Sequence, residues 1–274
     1  MKKRAYASGL YIFLVFVFLY APMVVLTIFS FNSSSSTYVF SGFSLQWYKT
    51  LFHDVVTMNA LKNTLILALT SSAVATVLGT AAAVGIDAMR NKYLKKSVMT
   101  VTNIPMMNPE IVTGISMMLL FVFVGTLFNK QEVLGFGTLL IAHVTFSLPY
   151  VILSVLPRFR EMDSHINEAA QDLGCSPSQA FFKVVLPGIL PGVVTGAVMA
   201  FTLSLDDFII SYFTNGPSFQ TLPIHIFSMT KKRVKPDMYA LSTLIFVVTL
   251  LLLILMNIAQ TRSTKRSASK GGKR

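Results

Sequence analysis

Two carboxylates stand side by side in FTLSLDDFII, residues 201–210, a run otherwise apolar enough for the middle of a membrane helix. An ionisable side chain at membrane depth is costly, and it faces a cavity or a partner. Asp206 and Asp207 are therefore the first candidates for function. Neighbours on a helix are turned from each other by about 100°, so the two side chains diverge. Asp207 lies three residues after Ser204 and continues its face. Either one lines a pathway while the other binds a helix end, or both are solvated at the outer edge of the span; the spacing leaves this open. Ser204 offers a hydroxyl to the same pathway. Glu110, within IPMMNPEIVTG (residues 104–114), is a third acid of this kind. Residues 98–125 and 188–211 contain no Lys or Arg to neutralise the three. Such an acidic set favours a cation. Trp47, Tyr48 and Tyr212 are aromatic faces able to hold an ammonium group.

Other chemistries find little support. Cys175 is the only cysteine, so neither an intrachain disulfide nor a cysteine metal cluster is expected. His53, His143, His165 and His225 have no metal-ligand spacing and read as interfacial or packing residues. No metal or cofactor site is expected. The phosphate-cradling pattern G-x-x-x-x-G-K-[ST] does not occur, so nucleotide is not bound here in that way.

The elements that must hold the acids are membrane helices. The 274 residues are 53% hydrophobic and only 12% charged. Long apolar runs cover about residues 8–31, 60–86, 98–125, 134–156, 188–211 and 239–259. Each can cross about 30 Å of hydrocarbon at about 1.5 Å per residue. The expected fold is all-α, a polytopic membrane protein with six transmembrane helices. The first run follows Met1, Lys2, Lys3 and Arg4, but it is too long for a signal peptide and reads as an uncleaved helix.

The net charge of +12 follows membrane topology rather than nucleic-acid binding. Lys2, Lys3 and Arg4, then Arg90, Lys92, Lys95 and Lys96, then Arg158, Arg160 and Lys183, then the tail, all fall on one side of a six-span chain. The positive-inside rule makes that side cytoplasmic, with both termini. Lys231, Lys232, Arg233 and Lys235 fall on the other side and are outvoted.

The chain divides into residues 1–59, a helix with an outer segment; residues 60–259, the core; and residues 260–274, a basic cytoplasmic tail. The outer segment opens with the polar exit Asn32 to Ser36 and carries Trp47, the only tryptophan. In the third run, Pro109 suits a first helical turn with Asn108 as its cap. The span is therefore expected to break near Asn108 and restart, with Glu110 in the new first turn, where the helix dipole favours an anion. Broken helices of this kind face protein or a water-filled cavity.

A cytoplasmic loop, residues 157–187, joins the fourth and fifth spans. Ser164 caps a short helix ending at Gly174. Ser176 to Gln179 then reads as a capping box with Pro177 at the first helical position, and this second helix is expected to stop at Pro187. The first helix presents Glu168, Ala169, Ala170 and Asp172 with little bulk, which suits a groove on another protein better than lipid headgroups. Gly188, Gly192, Gly196, Ala200 and Ser204 repeat every four residues, a stripe that admits another helix closely, such as one from a partner chain.

Glu168-Ala169-Ala170-Gln171-Asp172-Leu173-Gly174, then Phe182-Lys183-Val184 and Leu186-Pro187, closely resembles the EAA loop of ABC-importer permeases. The resemblance covers nearly the whole chain. It implies a type I importer transmembrane domain that is no enzyme itself. It implies a second permease, two ATP-binding subunits and an external solute-binding protein as partners. The loop, through Glu168, Ala169, Ala170, Asp172 and Gly174, would couple to the ATPase. FTLSLDD with Asn215-Gly216-Pro217, together with NPEIV at 108–112, FNSS at 31–34 and QWY at 46–48, is similar to the PotC-like branch that serves spermidine/putrescine importers. That branch implies a polyamine cargo and roles for Trp47, Glu110, Glu168, Ser204, Asp206 and Asp207. Another small cationic cargo, or an ion-gradient-driven carrier, are the alternatives.

Overall fold

A computed structural model describes residues 2–34, 39–130, 132–163, 165–231, 237–251 and 254. Ser164, Ser35 and Ser36, residues 232–235, the end of the sixth run and the basic tail lie outside the described residues, as do the side chains of residues 1–8.

Among the described residues the structure is helices joined by turns and short irregular segments, with no strand beyond one isolated antiparallel bridge between Asn32 and Phe43. In order they form α1 (Lys2–Ser30), α2 (Gln46–His53), α3 (Val55–Asp87), α4 (Lys92–Met107), α5 (Glu110–Leu127), α6 (Phe136–Glu161), α7 (Ile166–Asp172), α8 (Pro177–Ala180), α9 (Leu186–Asp206), α10 (Ile209–Thr214), α11 (Leu222–Thr230) and α12 (Asp237–Leu251). Five helical stretches are long and apolar enough to cross a membrane: Gly9–Ser30, Val55–Asp87, Glu110–Leu127, Phe136–Glu161 and Pro177–Asp206. α12 is the described part of the sixth. Within the spans, threonine hydroxyls bond back to their own helix: Thr64 to Ala60 O, Thr76 to Ser72 O and Thr195 to Pro191 O. A hydroxyl in hydrocarbon is thereby satisfied without a partner helix.

The chain separates into two compact units. One contains residues 1–59 and 226–255; the other is built on residues 60–225. In the first, the outer segment is organised by Asn32, which is 1% exposed. Its side-chain amide donates to Val39 O at 2.8 Å, and its Oδ1 accepts from Ser41 N at 2.8 Å. Trp47 Nε1 donates to Asn32 O at 2.7 Å, and Tyr48 Oη lies 2.8 Å from Ser30 Oγ. Trp47 and Tyr48, two of the three aromatics predicted to hold a cation, thus use their polar atoms to fix α2 against the end of α1.

In the second unit the main packing is α6 on α9. The small-residue stripe explains it. A Cβ on Gly192 would sit 2.7 Å from Ser154 O and 3.1 Å from Val155 Cα, and one on Gly196 would sit 3.0 Å from Val151 Cα. The stripe is a packing face, as its period implies, and the helix it meets is α6 of its own chain. Around it Val151, Ile152, Val155, Ile189 and Ala200 form a fully enclosed core with Ala75 and Ala83 of α3. Gly192→Leu is expected to overpack this contact by about 1–3 kcal/mol. Thermal unfolding in detergent should then drop by several degrees. Gly85→Leu, where a Cβ meets nothing within 4 Å, should leave the midpoint within about a degree, as surface changes do.

Three local expectations need correction. Asn108 does not cap α5. It closes α4, and Pro109, at φ −57° and ψ 133°, takes the cap position outside the helix. Its extended ψ keeps Pro109 out of the first turn, while Glu110 is in that turn as expected. The second loop helix does not stop at Pro187. A π-helical turn, Phe181–Val185, links α8 to α9, so residues 177–206 run on as one stretch. The wider turn absorbs the missing N–H and ring clash of a proline that would break a regular helix. Finally, the fifth span does not continue to residue 211; α9 ends at Asp206.

Candidate functional site

The end of α9 is caused by Asp207. Its backbone is extended, at φ −62° and ψ 125°. Its carboxylate accepts from Ile210 N at 3.3 Å and Ser211 N at 2.7 Å. An aspartate side chain offers these N–H groups an alternative to the helix ladder. The chain therefore stops, turns and restarts as α10, whose first-turn donors are satisfied by the carboxylate.

Behind Asp207 lies a buried line of polar side chains that the sequence did not announce. Ser71 of α3 donates to Ser204 Oγ of α9 at 2.9 Å. Ser204 Oγ lies 2.7 Å from His143 Nδ1 of α6. His143 Nε2 lies 3.0 Å from Ser211 Oγ of α10 and 3.5 Å from Asp207 Oδ2. Exposure is at most 9% for all five. Serine, histidine and aspartate in reach of each other suit a nucleophile, base and orienter. Burial inside four packed helices leaves no room for a substrate carbonyl, so this is an internal brace. His143, read from sequence as a packing residue, is its centre.

The predicted site residues divide accordingly. Ser204 and Asp207 are buried with their polar atoms used inside the chain. Asp206 and Glu110 are exposed, and both Glu110 and Asp207 are near enough to act on Asp206 electrostatically. α5 lies along α10: a Cβ on Gly114 would sit 3.0 Å from Phe213 Cδ2 and 3.5 Å from Ile209 O. That contact brings Glu110, one turn before Gly114, to the break. Tyr212 is 47% exposed on α10 and tilts against Phe208, ring centroids 5.5 Å apart. Trp47 belongs to the other compact unit.

At the opposite end of α9, 21 residues away and so about 30 Å, sits the loop. α7 closes with Gly174 at φ +90°; Gly174 N donates to Gln171 O at 2.9 Å and Cys175 N to Ala170 O at 3.1 Å. This pair of bonds is the Schellman ending, which needs a left-handed residue that glycine supplies freely. α8 opens with the expected capping box: Ser176 Oγ accepts from Gln179 N at 3.3 Å, and Gln179 Oε1 from Ser176 N at 3.2 Å. Glu168, Ala169, Asp172, Leu173 and Gly174 are exposed, and Ala170 is turned inward. The loop is a pair of capped short helices whose exposed face carries Glu168 and Asp172 with Ala169 and Leu173.

These features define a multi-pass α-helical membrane protein with an acidic helix break at one end of a span and a capped, exposed loop at the other. Residues 75–268 match the family described as binding-protein-dependent transport system inner membrane component, and the chain belongs to that family. It is 40% identical over 230 residues to the putrescine transport system permease protein PotI of Escherichia coli (strain K12), covering 84% of this chain and 82% of that one. It is 37% identical over 253 residues to the spermidine/putrescine transport system permease protein PotC of Haemophilus influenzae (strain ATCC 51907 / DSM 11121 / KW20 / Rd), covering 92% and 96%. In fold it is like a chain of a bacterial ABC transporter involved in the import of the acidic polysaccharide alginate, with TM-score 0.74, 17% identity and coverage of 94% and 95%.

Proposed function

We propose that the chain is the permease subunit of an ATP-driven importer whose cargo is a polyamine, spermidine or putrescine. The observation that carries this is the acidic break, Glu110 with Asp206 and Asp207, in a chain 40% identical to a putrescine permease. The chain is a permease, not an enzyme. A second permease, two ATP-binding subunits and an external polyamine-binding protein complete the machine.

Residues 1–59 supply the first span and outer segment, residues 60–259 the permease core, and residues 260–274 a basic cytoplasmic tail. Both termini are cytoplasmic on this reading, because four basic clusters fall on that side. Residues 231–235 lie outside; Lys231 Nζ sits 4.5 Å over the Phe227 ring, which engages one of those charges. Within the core, Asp206 and Glu110 face the pathway, while Ser204 and Asp207 hold the break that presents them. Trp47 fixes the outer segment. Glu168, Ala169, Ala170, Asp172 and Gly174 form the coupling loop. Closure of the ATPases moves this loop and tilts α9 between two states.

Reconstituted into liposomes with its three kinds of partner, the complex is expected to accumulate radiolabelled spermidine or putrescine only when ATP is supplied. Full-rate accumulation without the ATPase would establish a gradient-driven carrier instead. ATP-driven uptake of another small cation, with polyamines excluded, would replace the cargo and keep the machine.

A further inference from the structure

We propose that His143 is the positioning residue for the acidic break: by bridging Ser204 of α9 and Ser211 of α10 it fixes the last turn of α9, and so the direction of Asp206, together with the angle at which α10 leaves it. The proposal rests on the permease reading above for its effect on cargo, but not for its effect on geometry.

The hydrogen bonds give the bridge a direction. Ser204 Oγ accepts from Ser71 at 2.9 Å. Its own proton is then directed to His143 Nδ1, 2.7 Å away. A neutral ring that accepts at Nδ1 carries its hydrogen on Nε2. Nε2 donates to Ser211 Oγ at 3.0 Å. The backbone N of Ser211 donates in turn to Asp207 Oδ2 at 2.7 Å. Side-chain donation thus runs one way, Ser71 to Ser204 to His143 to Ser211, and the Ser211 backbone carries the line on to Asp207. The facing groups are these five; Glu110 and Asp206 are the charges nearby.

The line connects α3, α6, α9 and α10, so movement of α9 against α6 is passed to the α10 start through one ring. A buried line of this kind is costly when cut, because the remaining groups are left unpaired. It is also asymmetric. Losing Ser71 removes only the first donor, and Ser204 can still donate to His143. Losing the Ser211 hydroxyl removes the acceptor of His143 Nε2 and with it the side-chain bond of the ring to α10, leaving the imidazole 3.5 Å from Asp207 Oδ2.

The test uses the assembled complex in membranes and two readouts. The first is labelling of an Asp206→Cys chain by a small cationic methanethiosulfonate reagent, with labelling of the unmodified chain at Cys175 as background. His143→Leu is expected to change the labelling rate at position 206 at least about fivefold, Ser211→Ala about threefold, and Ser71→Ala less than twofold, at equal amounts of chain in the membrane. His143→Gln, which retains a donor and an acceptor, should restore the rate to within about twofold. The second readout is uptake in the Asp206-containing chain, where His143→Leu should raise KM for spermidine about tenfold with the maximal rate within about threefold. Should His143→Leu not fold, Ser211→Ala and His143→Gln carry the same comparison. Unchanged labelling in Ser211→Ala and His143→Leu, or equal effects of Ser71→Ala and Ser211→Ala, overturns the proposal. Changed labelling with KM unaffected upholds the positioning role and removes Asp206 from the cargo pathway.

Discussion

Asp206→Asn is expected to raise KM for polyamine uptake at least tenfold while the amount of complex in the membrane stays the same. Asp206 is exposed at the break. Asparagine keeps its size and removes only its charge. A single ammonium group about 4 Å from a carboxylate gains about 1 kcal/mol in bulk water and about 4 kcal/mol at an effective dielectric of 20. Tenfold corresponds to about 1.4 kcal/mol, near the lower of these figures. The effect should shrink as salt is raised, because exposed charges are screened. Asp207→Ala should behave differently. It removes the acceptor of Ile210 N and Ser211 N and leaves the buried line without its end. Truncating such a buried group costs on the order of 3 kcal/mol, so chain abundance and thermal stability fall before any kinetic constant can be read. Measuring uptake and abundance side by side separates the two aspartates. An Asp206→Asn complex with wild-type KM at low salt would end the reading of this carboxylate as a cation contact.

Much of this was legible in the sequence, and the reason lies in the range of each signal. The Ser176 capping box, the Gly174 ending and the interruption beside Pro109 are written in residues within a few positions of one another, and each forms nearly as expected. The membrane spans follow from composition over about twenty residues. Signals that depend on the partner of a face were not legible. The stripe from Gly188 to Ser204 gives the period of a close contact but not its partner, which is α6 of the same chain. His143 is a lone histidine in an apolar run; its partners Ser204 and Ser211 are 61 and 68 residues away, so no local spacing marks it. Pro187 marks a helix end by local rules, yet one π-helical turn lets the helix pass. The adjacent aspartates were legible as a site, but their division of labour was not, because it depends on which N–H groups Asp207 captures after the chain has turned.

Ala169→Trp in the loop is expected to reduce ATP-driven uptake at least about a hundredfold and to leave the chain folded. Ala169 lies on the exposed face of α7, beside Glu168. α7 has seven residues, too few to be stable alone; the Schellman ending at Gly174 and the capping box after it hold it in place. None of those contacts involves the Ala169 side chain, so the larger residue should alter stability by no more than about 0.5 kcal/mol. A face kept this small is suited to close approach, and an indole there holds two surfaces apart. On the proposed reading, loss of a docked helix removes a lever by which the motor would move α9, since residues 177–206, just after the Gly174 turn, run through the π-helical turn into α9. Purification of the tagged chain should then recover at least tenfold less ATPase subunit, at unchanged thermal midpoint for the chain itself. Gly174→Val should give the same loss of ATPase by a different route. A β-branched residue at φ +90° is strained by about 1–2 kcal/mol, so α7 frays instead of being blocked. Retention of the ATPase and of uptake in Ala169→Trp would mean that force enters the chain elsewhere, and the exposed acidic face of α7 would then need another partner.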